Sequence, residues 1–378
     1  MPVEAAEFLV IGAGMAGAAA AAHLAPLGRV IVIERESQPG YHSTGRSAAL
    51  FTETYGNLPV RLLTRASRGF YEAWAEGFSD HPVLTPRGAM IYAPPEQMPA
   101  LDAEWAEMAP RDPTIRRLDA DEALRLVPAL RPERVAAAIF EPGAMDIDVH
   151  TLHQGYLRLF RRRGGRIETD APVTGLRRSG GAWVAATPRG EFAAPVVVNA
   201  AGAWADVVAS LAGLPPVGLV PKRRTALIVA APAEFDTRGW PMVIDAEETG
   251  YFKPEAGKLL VSPADETPVE PCDAQPEELD VAIAVDRLMR ATTIAVDRVE
   301  RKWAGLRSFV ADMTPVAGFD PRAEGFFWLA GQGGYGIMTA EGMARCAAGL
   351  IAERALPADL AAFGLSAESL GPGRFARR

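Results

Sequence analysis

The 378-residue sequence has few of the residues that mark disulfide-rich, metal-binding and nucleic-acid-binding proteins. Its two cysteines, Cys272 and Cys346, are far apart, and its five histidines show no ligand spacing, so we expect neither a disulfide framework nor a metal site. The net charge of −8 argues against a nucleic-acid surface. No uninterrupted apolar run reaches the roughly 18 residues of a membrane span. These absences predict a cytoplasmic protein with no nucleic-acid partner and no membrane span.

A glycine-rich turn between two apolar segments is the most informative feature that is present. One apolar segment precedes the sequence GAGMAG of residues 12–17, and the second ends at Glu34. In a strand–turn–helix–strand unit, Gly12 permits the tight turn, Gly14 lets the backbone approach a pyrophosphate, and Gly17 lets helix and strand pack closely. Glu34, 22 residues after Gly12, is placed to accept hydrogen bonds from an adenosine ribose. The pattern predicts a bound dinucleotide; the alternative is a structural βαβ unit with a glycine turn.

A second apolar segment, glycine turn and helical segment occurs near the other end of the chain. Residues 326–330 are apolar, the sequence GQGGYGI of residues 331–337 follows, and an alanine-rich segment continues to Arg354. A nicotinamide dehydrogenase normally uses one Rossmann domain with a separate catalytic domain. A flavoprotein of the glutathione-reductase kind can close its FAD site with such a second turn, which directs N–H groups and a helix N-terminus at the flavin. The two turns together favour FAD.

The segments between the two turns predict the domain organisation. Residues 94–130 are rich in proline and short acidic helices, residues 218–310 are rich in strands, and Asp148 is the predicted N-cap of a helix over 146–163. The expected fold class is α/β (α+β), with an FAD-binding Rossmann-like domain of glutathione-reductase type and a mixed β-sheet substrate domain. The FAD-binding domain is assigned to residues 1–80, 139–220 and 308–378, and the substrate-binding domain to residues 81–138 and 221–307.

Four motifs together resemble those of the D-amino-acid oxidase superfamily, and within it those of the FAD-dependent D-arginine dehydrogenases. They are the fingerprint at 12–17, STGRS at 43–47, NAAGAW at 199–204 and GQGGYG at 331–336. The resemblance spans essentially the whole chain. It implies oxidation of a D-amino acid by hydride transfer from Cα to flavin N5, after which the imino acid hydrolyses to a 2-oxo acid and ammonia. The electron acceptor is left open between oxygen, a quinone and another carrier.

The resemblance also implies how FAD is held. Cys272 and Cys346 do not match the position at which related enzymes attach the flavin, so we expect non-covalent FAD. The residues that the motifs and the resemblance assign to FAD are Gly12, Gly14, Met15, Ala16, Gly17, Glu34, Arg35, Ser43, Thr44, Ser47, Val173, Ala201, Gly202, Trp204, Gly331, Gly333, Gly334, Tyr335, Gly336 and Ile337.

Five residues are assigned to the substrate on the same basis. Arg307 matches the family's substrate arginine, and its planar guanidinium can bind both oxygens of a carboxylate. Arg224 and Tyr251 match further positions at the substrate carboxylate, and Tyr55 lies on a loop of the expected active site. Gly334 could offer its carbonyl to the substrate amine. Because nearby arginines favour loss of the ammonium proton, no dedicated general base is assigned.

Two departures from the family pattern bear on substrate choice. Ala89 stands where D-arginine dehydrogenase has the glutamate that pairs with the substrate guanidinium, and Leu50 replaces a histidine near the flavin. The lost charge-assisted bond is worth about 1.5–3 kcal/mol. Glu53 is the candidate residue that could compensate for the missing glutamate at position 89. We predict a preference for neutral, apolar D-amino acids over D-arginine; the alternatives are a glycine- or sarcosine-oxidase-like amine oxidase and a flavin-binding sensor without turnover.

Overall fold

The computed structural model describes residues 3–74 and 76–375. Its strands are β1 (Glu4–Ala5), β2 (Phe8–Ile11), β3 (Val30–Ile33), β4 (Leu50–Phe51), β5 (Leu84–Pro86), β6 (Ala89–Ala93), β7 (Arg116–Asp119), β8 (Ala137–Glu141), β9 (Met145–Ile147), β10 (Arg166–Glu168), β11 (Gly175–Ser179), β12 (Ala182–Thr187), β13 (Gly190–Ala194), β14 (Val196–Asn199), β15 (Val220–Ala230), β16 (Met242–Asp245), β17 (Tyr251–Glu255), β18 (Lys258–Ser262), β19 (Thr267–Pro268), β20 (Val299–Phe309), β21 (Val316–Phe319) and β22 (Phe326–Ala330). Its α-helices are α1 (Met15–Leu24), α2 (Leu58–Glu72), α3 (Met98–Met108), α4 (Ala120–Leu126), α5 (Val149–Arg162), α6 (Ala205–Leu211), α7 (Glu278–Ala291), α8 (Ala340–Ala352), α9 (Ala358–Ala362) and α10 (Ala367–Leu370).

A six-stranded sheet unites segments from the start, the middle and the end of the chain. Its strand order is β10-β3-β2-β14-β22-β21; the first five strands are parallel and β21 is antiparallel. Helix α1 packs between α5 and α8, and its alanines, residues 18–22, have no exposed surface. The helix is apolar all round because it is buried on every side, as expected for such a composition.

A nine-stranded sheet forms the second large layer. Its strand order is β19-β15-β18-β17-β16-β6-β8-β7, and β20 pairs with β15 in antiparallel register. Arg224 lies opposite Gly305, and Lys222 lies opposite Arg307. Since alternate residues share one face of a strand, Arg224 and Arg307 are diagonal neighbours on the same face. Two smaller sheets have the orders β1-β13-β12-β11 and β4-β9-β5.

The secondary structure agrees with the sequence patterns at both glycine turns and at α5. The side chain of Asp148 caps α5 by accepting a hydrogen bond from the Thr151 N–H at 2.8 Å, as predicted. The helix begins at Val149, not at 146, because residues 145–147 form β9. No helix within 3–74 or 76–375 is long and apolar enough to cross a membrane.

The domain limits stay a prediction. The limit between 138 and 139 falls inside β8, and the limit between 307 and 308 falls inside β20; both strands belong to the nine-stranded sheet. The outer limits, 1 and 378, lie outside the described residues.

Candidate active site

A cavity of about 1090 Å³ lies where the two large sheets meet. One end is lined by residues that follow β2, β3, β14 and β22, at the carboxyl edge of the parallel strands. Open parallel sheets characteristically bind ligands at this edge. The other end is lined by one face of β6, β8 and β16 in the nine-stranded sheet.

The first glycine turn has the geometry that its sequence predicts. Gly12 has a φ of +103°, and a Cβ atom there would lie 2.5 Å from the Ala200 carbonyl oxygen. A Cβ atom on Gly17 would lie 1.9 Å from the Gly12 carbonyl oxygen. Neither position admits a side chain without moving backbone. Gly17 does not line the cavity, so its role is to allow helix α1 to pack against the turn.

Three side chains hold this turn in place. The Glu34 carboxylate accepts a hydrogen bond from the Ala13 N–H at 2.8 Å, and the Thr44 hydroxyl oxygen accepts one from the Met15 N–H at 2.9 Å. His153 Nε2 lies 2.9 Å from the Ala13 carbonyl oxygen. Burial raises the pKa of Glu34 and lowers that of His153, so His153 is neutral at physiological pH and donates its Nε2–H. His153 could not be recognised from the sequence beyond its place on a helix.

Most of the residues predicted to contact FAD lie in the cavity wall. They are Gly12, Gly14, Met15, Ala16, Glu34, Arg35, Ser43, Thr44, Ser47, Val173, Ala201, Gly202, Trp204, Gly333, Gly334, Tyr335, Gly336 and Ile337. Gly331 is not in the wall; its φ of +69° shows that it shapes the second turn. Near Glu34 the Arg35 guanidinium stacks on the Trp204 ring at 4.6 Å.

This end of the cavity fits a dinucleotide. Gly12 and Gly14 bring bare backbone into the wall, Glu34 presents a carboxylate, and the wall near Trp204 is aromatic. The start of α1 adds the positive end of a helix dipole, which suits a pyrophosphate. At the second turn a Cβ on Gly333 would lie 2.3 Å from the Phe309 ring.

Loop 43–47 connects this end of the cavity to the nine-stranded sheet. The Ser43 hydroxyl donates to the Leu306 carbonyl at 2.7 Å, and the Arg46 guanidinium donates to the Ala304 carbonyl at 3.1 Å. Both acceptors lie on β20, the strand that carries Arg307. The predicted cofactor loop is therefore bound directly to the strand that carries the predicted substrate arginine.

The predicted substrate residues Tyr55, Arg224, Tyr251, Arg307 and Gly334 all line the cavity. Arg224 is already engaged, donating to the Asp265 carbonyl at 2.9 Å and to the Glu266 carboxylate at 3.0 Å. Arg307 differs, because no carboxylate in the described ranges comes within 4.0 Å of its guanidinium. It also contacts the second glycine turn, where a Cβ on Gly334 would lie 3.0 Å from Arg307 Nη1.

The electrostatics of this cluster suit an anion. Burial opposes the charge of Arg307, yet the neighbouring Tyr55, Tyr251 and Glu266 raise its pKa, so it stays charged. Burial likewise opposes ionisation of Tyr251, but the charges of Arg307 and Arg224 hold the pKa of its phenol below the ordinary value. Burial raises the pKa of Tyr55. A buried guanidinium cation with phenol groups beside it can bind a carboxylate by charge-assisted hydrogen bonds.

Two of the three residues predicted for the side-chain pocket line it. Leu50 and Ala89 are in the wall, and Glu53 is not. The Glu53 carboxylate instead binds Arg68 Nε at 2.6 Å and Arg65 Nε at 3.2 Å, both on α2. The expectation that Glu53 contributes to the pocket is therefore wrong, because two arginines of the neighbouring helix hold its side chain away.

Sequence reasoning missed seven acidic residues of the wall, namely Glu104, Glu107, Glu141, Glu247, Glu248, Glu266 and Asp312. Three of them, Glu104, Glu141 and Glu248, have no basic group of the described chain within 4.0 Å, and burial raises the pKa of each of these three carboxyl groups. The Glu141 position, at the end of the apolar stretch AAIF, could have drawn attention. The pairing of β8 with β6, which makes Glu141 the cross-strand neighbour of Ala89, could not be read from the sequence.

Residues 3–74 and 76–375 hold no group of three or more His, Cys, Asp and Glu side chains arranged to bind a metal ion.

Known proteins resemble the chain in sequence and in fold. The pattern of the family described as "FAD dependent oxidoreductase" matches residues 7–350. Human mitochondrial dimethylglycine dehydrogenase is 27% identical over 268 residues, covering 68% of this chain and 30% of that protein. The glycine oxidase of Geobacillus kaustophilus is 24% identical over 95% of this chain and 96% of the relative. The solved L-proline dehydrogenase from P. horikoshii has a TM-score of 0.84 at 21% identity and covers 100% of this chain and 99% of that one.

These likenesses differ in what they cover. The chain spans about three tenths of the length of the dimethylglycine dehydrogenases it matches, whereas it matches the glycine oxidase almost end to end. The solved structure shares the α/β architecture described above. Since the family pattern covers nearly the whole chain and the cavity fits the dinucleotide, the chain belongs to the FAD dependent oxidoreductase family, and FAD is its cofactor.

Proposed function

We propose that the protein oxidises the amine of a D-amino acid to an imine, with FAD as the first electron acceptor. The observation that carries the proposal is Arg307, a charged guanidinium without an acidic partner in the described chain that contacts the second glycine turn of the FAD site. An α-amino carboxylate bound there would have its Cα beside the cofactor. The D configuration rests on the resemblance of the sequence motifs to D-arginine dehydrogenases.

Each residue of the cluster has a role in this reaction. Arg307 and Arg224 bind the substrate carboxylate, and the Tyr251 and Tyr55 hydroxyls hydrogen-bond to the bound substrate. The Gly334 carbonyl accepts a hydrogen bond from the amine. Two neighbouring cations lower the pKa of the substrate ammonium, so the amine can lose its proton to water without a dedicated base. FAD, when bound, accepts the hydride from Cα, and water then hydrolyses the released imino acid to a 2-oxo acid and ammonia.

The proposed substrates have neutral side chains. Beside Leu50 and Ala89 the wall presents Ile91, Ile139 and Ile244, apolar side chains that suit a substrate side chain without charge. A cationic side chain would lose a charge-assisted bond worth about 1.5–3 kcal/mol, or roughly ten- to a hundredfold in affinity. A substrate panel in which D-arginine and D-lysine gave the highest kcat/KM would refute this preference.

A glycine-oxidase-like amine oxidation is the second candidate, and the end-to-end match to a glycine oxidase favours it. It shares the carboxylate clamp and differs in the side-chain pocket, which glycine and sarcosine would leave empty.

Both candidates use non-covalent FAD, because neither Cys272 nor Cys346 lines the cavity. Acid precipitation should release the yellow colour into the supernatant; colour kept in the pellet would indicate a covalent bond.

Anaerobic bleaching of the flavin tests the proposal directly. D-amino acids, L-amino acids, glycine and sarcosine are mixed one at a time with the oxygen-free holoenzyme, and air is then admitted. Bleaching by neutral D-amino acids is the expected result, and fastest bleaching by glycine or sarcosine would favour the second candidate. A flavin that no amine bleaches would indicate a sensor without turnover. The rate of recovery in air distinguishes an oxidase from a dehydrogenase.

A further inference from the structure

The carboxyl group of Glu141 lies in the cavity wall between two hydroxyl groups. Glu141 is 5% exposed. The Thr52 hydroxyl lies 2.8 Å from both of its carboxyl oxygens, and the Thr54 hydroxyl lies 2.7 Å from Oε2. The two threonines also contact each other, with 2.9 Å between their hydroxyl oxygens. The three side chains form one hydrogen-bonded set, to which neither the sequence motifs nor the proposed reaction assigns a role.

The strand pairing places this set next to the substrate side-chain pocket. Glu141 is the direct cross-strand partner of Ala89 in the antiparallel pair β6–β8, and such partners have Cβ atoms about 4.5–5.5 Å apart on one face. Ile91 and Ile139 share that face and also line the cavity. The side chain at 89 is a single methyl group, and Ala89 and Glu141 both line the cavity.

The hydrogen-bonding capacity of Glu141 exceeds what its partners use. A carboxylate offers about four acceptor positions, and the two hydroxyl groups supply at most two protons. No basic group of the described chain lies within 4.0 Å of the Glu141 carboxyl group, and burial raises its pKa. Acceptor positions on this group therefore remain for a donor from a bound substrate. Such a site rewards a substrate side chain that ends in a hydrogen-bond donor.

We propose that Glu141 is a specificity-determining residue that accepts a hydrogen bond from the end of the substrate side chain, so that a neutral side chain ending in an amide or hydroxyl group is selected over an aliphatic one of equal length. This inference rests on the proposed amino acid oxidation. It narrows the predicted neutral substrates to polar ones and names the group that recognises them.

D-glutamine and D-methionine provide a matched pair of substrates, because their side chains have similar length and only glutamine ends in N–H donors. The measured quantity is the ratio of their flavin-reduction efficiencies, the limiting rate divided by the substrate Kd, in anaerobic stopped flow. A buried acceptor that meets no donor costs of order tenfold or more. The wild-type ratio should therefore favour D-glutamine by about tenfold or more.

Two variants and a control variant test whether Glu141 causes the preference for D-glutamine over D-methionine. Glu141→Leu should bring the ratio to one or below, because the acceptor is gone. Ala89→Val keeps the Glu141–Thr52–Thr54 set but places a larger side chain between it and the substrate. The flavin-reduction efficiency should therefore fall more for D-glutamine than for D-methionine. This variant tests the proposal even if Glu141→Leu does not retain FAD. Glu72→Gln is the matched control, since it removes the charge of an exposed carboxylate that pairs with Arg68 on α2 and does not line the cavity, and its ratio should equal the wild-type value.

A wild-type ratio near one, or a ratio that Ala89→Val leaves unchanged, would overturn the role of Glu141. Those outcomes are distinct from failure of the proposed function, which would appear as a flavin that neither amino acid bleaches. If both amino acids bleach it equally well, amino acid oxidation stands and only the role of Glu141 falls.

Discussion

Replacing Arg307 by alanine removes the charged group on which the proposed function depends. Its guanidinium has no acidic partner among the described residues and lines the cavity beside Gly334. Arg224, its diagonal neighbour across β15 and β20, is already engaged by Asp265 and Glu266. Arg224 therefore cannot take over the full role when Arg307 is missing, and the substrate carboxylate would be left poorly paired in a buried site.

The expected cost follows from that burial. Removing one partner of a buried charge pair typically costs about 3–5 kcal/mol, because the remaining charge is left uncompensated. Substrate Kd should therefore rise roughly a hundred- to several thousandfold. Arg307→Lys should fall between the wild type and the alanine variant, because an ammonium keeps the charge but cannot bind both carboxylate oxygens as a planar fork.

Stopped-flow reduction of the flavin under anaerobic conditions gives the substrate Kd and the limiting rate separately. Arg301→Ala is the matched control, since it removes an exposed arginine from the same strand, and its Kd should be that of the wild type. The ratio of flavin to protein absorbance must be unchanged in every variant, so that loss of cofactor is not mistaken for loss of substrate. A substrate Kd that Arg307→Ala leaves unchanged would refute the assignment of the carboxylate site.

Three further predictions address the cofactor turn, the phenol beside the clamp and the two thiols. Gly17→Ala should be purified with little FAD, because its Cβ would lie 1.9 Å from the Gly12 carbonyl oxygen; the FAD-to-protein ratio measures this, and a full complement would contradict the turn geometry. Because the pKa of Tyr251 is held below its ordinary value of about 10, raising the pH toward that value should ionise the phenol, repel the substrate carboxylate and raise Kd. In Tyr251→Phe this alkaline rise in Kd should be absent, and its persistence would assign the titration to another group. Burial raises the pKa of Cys346 to about 12, whereas Cys272 is exposed, so a thiol reagent should modify one cysteine in the native protein and two after denaturation.

The cofactor end of the site could be predicted from sequence because its determinants are local. Gly12, Gly17 and Glu34 fall within one strand–turn–helix–strand unit, and their spacing alone specifies the turn that the structure contains. Asp148 could be predicted as the cap of α5 for the same reason. Its side chain accepts a hydrogen bond from the Thr151 N–H, which is only three residues away in sequence.

The side-chain end of the site could not be predicted, because its determinants are pairings between distant segments. Glu53 and Thr52 are adjacent in sequence, yet the Glu53 side chain turns to the arginines of α2 while Thr52 binds Glu141, 89 residues away. Only the register of β6 with β8 brings Glu141 beside Ala89. His153 likewise reaches the Ala13 carbonyl across 140 residues of sequence.

The second glycine turn lies against the strand that carries Arg307. Gly333 and Gly334 face the nine-stranded sheet: a Cβ on Gly333 would meet the Phe309 ring at 2.3 Å, and one on Gly334 would meet Arg307 Nη1 at 3.0 Å. Phe309 and Arg307 both lie on β20. Glycine is therefore required here for the close approach of the turn to β20 as well as for its conformation. Because the turn lies directly after a strand of the six-stranded sheet and against a strand of the nine-stranded one, it joins the cofactor end of the cavity to the proposed carboxylate site.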